Sequence, residues 1–209
     1  IVSNGDVGYQ GRSETEAINY WGNNHGGIAT IGDDHYIFYH RQTSQTEASR
    51  QGCAERITID AEGKIAQVPI TSCGLNGGPL PAKGSYASYI ACILRSKDGA
   101  CKTTKCGKKG KNKHPFITQD QPDGVDGQQY ITNLFDGACF GFRYFDMDHP
   151  KLSVVAKGAD GTLSVYVDEI DHKLGKINLS LSPNWTKSQS VDIHVQGVHE
   201  LIFVYEGTG

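Results

Sequence analysis

The chain has 209 residues, of which 37% are hydrophobic, 26 are glycine and one is methionine, enough to bury one core of ordinary size or two small ones. Its 20 basic and 23 acidic residues leave a net charge of -3, which gives no general attraction to nucleic acid or to an acidic membrane surface. No run approaches the roughly 20 apolar residues of a membrane helix, and residues 1–6 lack the regions of a signal peptide, so any export signal is expected to lie outside this sequence. Neutral partners, sugars included, stay open.

Helical periodicity is hard to find, whereas short β-rich runs bounded by Gly, Asp, Asn and Pro recur throughout, and an all-β architecture is expected. Residues 27–31 and 35–40 read as a hairpin across Gly32-Asp33-Asp34, and 56–59 and 64–68 as a second across residues 60–63. Two meandering hairpins suit a propeller blade or a sandwich. Between Arg95 and Lys113 the composition changes: eight of the 20 Lys and Arg residues fall there among glycines. A solvated, charge-extended linker is the reading adopted, with a patch for an acidic polymer as its alternative. Strands resume at 138–145, 152–156, 163–167, 176–181, 188–195 and 200–205. Apolar residues alternate at Leu163, Val165 and Val167 and again at Val191, Ile193 and Val195; the latter run is expected to pair with 201–205 across Gln196-Gly197. Short strands at this spacing read as a β-sandwich.

Six cysteines (Cys53, Cys73, Cys92, Cys101, Cys106 and Cys139) are many for a cytosolic protein, and no pair has C-x-x-C spacing. A small bridged loop between Cys101 and Cys106 fits the spacing, free thiols being the alternative.

The stretch 19–28, with Trp21-Gly22-Asn23-Asn24-His25-Gly26-Gly27, followed by Phe38-Tyr39-His40-Arg41-Gln42 and Arg50-Gln51-Gly52-Cys53-Ala54-Glu55, resembles the last blade of glycoside hydrolase family 43. That family's fold is a five-bladed β-propeller, and its members include arabinofuranosidases, xylosidases and arabinanases. Residues 115–209 look like a family 6 carbohydrate-binding module, on Gln129-Tyr130-Ile131, Gly141-Phe142-Arg143-Tyr144-Phe145 and Asn184-Trp185. The resemblance implies a final propeller segment over 1–94, a linker over 95–113 and a jelly-roll-like carbohydrate-binding sandwich over 114–209. It further implies a secreted protein, extracellular or periplasmic, that acts on plant cell-wall polysaccharide such as xylan or arabinoxylan, with no nucleic-acid or membrane partner.

Family members invert configuration with a carboxylic acid and a water-activating carboxylate. No residue here matches either, so the chain reads as the carboxyl-terminal part of a longer enzyme, cut just before the module's last strand. By the same resemblance His25 lies at the propeller centre near a bound cation, commonly calcium, which it would reach through water or by orienting other groups. Its other reading is a turn histidine. Arg41 would be the final blade's active-site arginine, donating a fork of hydrogen bonds; otherwise it is a surface arginine. His40 is taken as structural. Trp185, after a Ser-Pro-Asn turn, offers a flat face to a pyranose ring, with packing under its loop as the competing account and Phe142 or Tyr144 as its partner across a cleft. Gln119 and Asp120 occupy the place of a structural calcium site, which the glutamine makes doubtful. A non-catalytic carbohydrate-binding protein is the rival function; a disulfide-stapled structural or adhesion protein is a third.

Overall fold

The computed structural model describes residues 1–44, 46, 48–106, 113–122, 125 and 127–208. Six residues of the expected linker, 107–112, therefore lie outside the described residues. The all-β expectation holds: the regular elements are strands, joined by 3-10 turns, and among the described residues no helix is long and apolar enough to cross a membrane.

In chain order the strands begin with β1 (Gly26–Ile31), β2 (Asp34–Gln42) and β3 (Arg50–Ile57), which form an antiparallel sheet with β2 in the middle. Short strands β4 (Leu80–Pro81), β5 (Ile93–Arg95), β6 (Phe116–Gln119) and β7 (Gln129–Thr132) follow. After β8 (Cys139–Asp148) come β9 (Lys151–Leu152), β10 (Val155–Ala156), β11 (Gly161–Val167), β12 (Lys173–Leu179), β13 (Thr186–Lys187), β14 (Val191–Asp192) and β15 (Gln196–Gly207).

The central sheet runs β12-β11-β15-β8-β4, with β5 also pairing β8. Residues from both halves of the sequence therefore share it: Ile93 to Arg95 lie opposite Gly141 to Cys139, and Leu80 opposite Phe145. Alternation decides which side chains go where. Phe140, Phe142, Leu201, Phe203, Leu163 and Val165 turn to one face, where Phe140 stacks on Phe203 at 5.0 Å. Cys139, Ile202 and Ile93 turn to the other, against Ile18, Tyr39, Ile70 and Cys92. Tyr39 thus carries β2 onto the back of the central sheet at β8 and β15, whereas toward β12 the same face bears the exposed Lys176–Glu206 ion pair.

The expected pairing of residues 191–195 with 201–205 does not form. Val191 lies opposite Leu152, while β15, which starts at Gln196 itself, takes β8 and β11 as its neighbours. Gly197, expected as a turn, sits inside that long strand at φ 103°, a conformation that only glycine adopts cheaply. The second expected hairpin forms in reduced shape: Asp60 closes the turn by accepting from Lys64 N, and Ile59 bridges Ile65.

Cys101 and Cys106 are joined in a disulfide, and Trp21 bridges Lys102 beside it, with Thr103 N donating to Trp21 O at 2.8 Å. Loop-closure entropy for so short a ring is about 2 kcal/mol. Mild reduction should lower stability by no more than that, which a denaturant titration with and without reductant checks.

Between His199 and Leu201 the register against β8 shifts, two residues of β8, Arg143 and Tyr144, facing the single Glu200, so that β8 carries a bulge there. Arg143 lies between Glu200, 2.7 Å away, and Asp6, which is fully buried. Asp6 also accepts from Ile70 N at 2.7 Å, so a single guanidinium ties the first residues of the chain to β8 and β15. Next to the bulge, His199 Nδ1 is 2.7 Å from Asp168 Oδ2 and its Nε2 is 2.9 Å from the Gln196 carbonyl. The Asp168 hydrogen bond raises the imidazole above its usual value. Because the folded value is the higher one, the stabilisation is complete below pH ~6.5 and is lost as pH rises through the shifted value. Melting temperature should fall more between pH 6 and 8 in the wild type than in His199→Gln.

Candidate functional sites

Two places combine aromatic surface with engaged polar groups. The first is an open cleft of about 400 Å³ bordered by β2, β3 and the segments around Thr71 to Leu75 and Tyr89. Alternation along β2 turns Tyr39 and Arg41 toward the packed side. Arg41 is only 4% exposed; its Nε donates to Cys53 Sγ at 2.9 Å and its Nη1 to the Ala91 carbonyl at 3.3 Å. Nearby, Glu55 accepts from Tyr39 Oη at 2.8 Å, Thr71 N at 2.7 Å and Thr71 Oγ1 at 2.5 Å. Burial raises its carboxyl above the usual range, although the Thr71 donors pull the other way. Phe38 and Tyr89 border the cleft with 36% and 38% of their surface exposed, enough to leave ring faces available.

His25 does not join this group. It is exposed just before β1 and meets His40 edge to face, ring centroids 4.6 Å apart. His40 and Arg41 are successive strand residues and point to opposite faces of β2. Burial, then the charges of Arg50 and His25, hold His40 below the usual imidazole value. Among the described residues no three His, Cys, Asp or Glu side chains gather as a metal cluster.

The second place lies where the 182–187 loop meets β7. Trp185 is half-buried and meets the Tyr130 ring edge to face at 5.0 Å and 72°. Tyr130 donates its hydroxyl to Asp120 Oδ1 at 2.5 Å, and that bond raises the phenol above its ordinary value. Gln119 is engaged by Gln129 Nε2 at 3.1 Å and itself donates to the Gln121 carbonyl. Neither expected partner of Trp185 is here. Phe142 is buried among Phe140, Phe145 and Phe203, because its turn of the β8 pleat faces the core. Tyr144 lies in a smaller recess with Cys73, Pro79 and Arg56, its phenol pushed up to about 12 chiefly by burial. The partner is Tyr130, in the Gln129-Tyr130-Ile131 stretch that the sequence singled out without giving it a role.

No family model matches the chain. Along all of its length, over 213 aligned residues, it is 42% identical to a "Xylosidase/arabinosidase" of Thermoclostridium stercorarium. The chain is a relative of that xylosidase/arabinosidase. It spans 45% of the relative's own length. Among solved structures, a family 6 carbohydrate-binding module from Clostridium cellulolyticum in complex with xylose is 14% identical, covering 44% of this chain and 78% of that one at TM-score 0.38. An exo-β-1,3-galactanase from Phanerochaete chrysosporium is 12% identical, covering 91% of this chain and 44% of that one, also at TM-score 0.38.

Proposed function

We propose that this chain is the glycan-recognising part of a secreted glycosidase that hydrolyses arabinosyl or xylosyl linkages in plant hemicellulose, with inversion. The observation that carries the reading is the Trp185–Tyr130 pair, two rings on one surface with Asp120 beside them. Aromatic faces stack on the C–H faces of a sugar ring, and a nearby carboxylate accepts from its hydroxyls. The xylosidase/arabinosidase relative supports the choice of polymer. In the longer protein His25 would stand toward a calcium ion, on the face of β2 opposite Arg41, while the acid and base would come from residues outside this sequence.

A non-catalytic carbohydrate-binding role is favoured for the chain on its own, since none of its carboxylates is matched to the acid or the base. Calorimetric titration of the folded chain with arabinoxylan oligosaccharides tests the reading. Saturable binding is expected, and absence of heat from a chain with a cooperative melt would sink it, leaving the disulfide-bridged structural protein as the better account.

A further inference from the structure

Two arginines are buried close to the back of the central sheet, and they are treated differently. Arg143, 6% exposed, sits between two carboxylates. Arg41, 4% exposed, has none: among the described residues no carboxylate stands within ion-pair distance of it, and its guanidinium donates to Cys53 Sγ and to the Ala91 carbonyl. Glu55 shares its sheet face but is occupied by Tyr39 and Thr71. Buried charges are ordinarily paired, because desolvation costs several kcal/mol that only an opposite charge or full hydrogen bonding offsets. What distinguishes Arg41 is that it lines the cleft of about 400 Å³, within the roughly 300–1,000 Å³ range of small-molecule sites. A second observation points the same way. Gln51, also at the cleft, donates Nε2 to the Tyr89 carbonyl while its Oε1 is buried without a partner. Phe38 and Tyr89 supply exposed ring surface at the border.

From this combination we infer that the cleft binds a carboxylate-bearing sugar, a uronate, with its carboxylate on the Arg41 guanidinium and its ring against Phe38 and Tyr89. A planar guanidinium meets a carboxylate through parallel N–H donors, which a neutral sugar cannot reciprocate. The inference rests on reading the chain as glycan-directed, and it uses a different site from Trp185.

The test is a titration of the full chain with glucuronate, galacturonate, xylose and acetate, repeated on Arg41→Gln, Tyr89→Ala and Trp185→Ala. A uronate should bind at least tenfold more tightly than xylose. Arg41→Gln should abolish that preference, Tyr89→Ala should weaken it, and Trp185→Ala should leave it unchanged. Equal binding of xylose and uronate, competition by acetate as strong as by glucuronate, or loss in Trp185→Ala alone would each overturn the inference. If Arg41→Gln does not fold, Tyr89→Ala decides, since its side chain lies at the border and its loss leaves the buried layers intact. Unchanged uronate affinity in that variant counts against the site. Failure of the arabinoxylan titration with success here would remove the Trp185 reading and leave this one standing.

Discussion

Arg143→Met should cost about 3–5 kcal/mol, because it strands Asp6 and Glu200 in the interior without the cation that they share. Asp6 is fully buried and cannot reach water without lifting the first turn of the chain off Ile70, whereas Glu200, beside the β8 bulge, keeps 17% of its side chain exposed. For a chain of this size the loss is worth a fall in melting temperature of roughly 10 °C, measurable by circular dichroism. The variant also carries its own signature in pH. Burial already raises the Glu200 carboxyl and Arg143 pulls it back down; with the guanidinium gone the folded value rises further above the unfolded one, so the deficit should shrink as pH falls. The triple substitution Arg143→Met, Asp6→Asn, Glu200→Gln should recover much of the stability, since it removes the buried charges together. A deficit independent of pH would mean that packing of the arginine stem, rather than its charge, holds the bulge.

Trp185→Ala should weaken oligosaccharide binding by about 2 kcal/mol, roughly thirtyfold, the cost expected of removing a central aromatic anchor from a recognition site. Its stability cost should be small. The ring is half-buried, and it touches Tyr130 rather than the Phe140–Phe203 stack. Separation of the two effects is what makes the variant informative: affinity falls while the melting temperature barely moves. Tyr130→Ala should reproduce the loss of affinity, because each ring limits the other's rotation. If affinity survived both changes, the pair would be a surface packing motif and the sugar site would have to be sought elsewhere on the chain.

Local signals in the sequence were dependable where structure is local. The first hairpin appears as β1 and β2, with Gly32 at positive φ in its turn, and the alternation of Leu163, Val165 and Val167 marks β11. What sequence could not supply was partnership at a distance. The run 191–195 alternates as well as any strand, yet only Val191 and Asp192 pair, and they pair back to β9. The long β15 lies between β8 and β11, where its Phe203 stacks on Phe140 of β8, a partner that its own 12 residues do not name. The sites follow the same division. Trp185 draws the eye in sequence because a tryptophan after a Ser-Pro-Asn turn is conspicuous, but its contact with Tyr130 depends on β7 arriving beside a loop far along the chain. Phe142 looked equally suitable in one dimension, and only the pleat of β8 decides that it faces inward.

One consequence of the shared β8 concerns how such a protein can be taken apart. A fragment beginning at residue 114, made to isolate the second half of the chain, would leave behind β4 and β5, and with them the partners of Phe145 and of Cys139 to Gly141. The flank of β8 so uncovered would present unsatisfied amide and carbonyl groups along a hydrophobic strand, a template for stacking with its own copies. Recombination in nature, or grafting in the laboratory, would keep the harvested half monodisperse only by carrying residues 80–95 along with it.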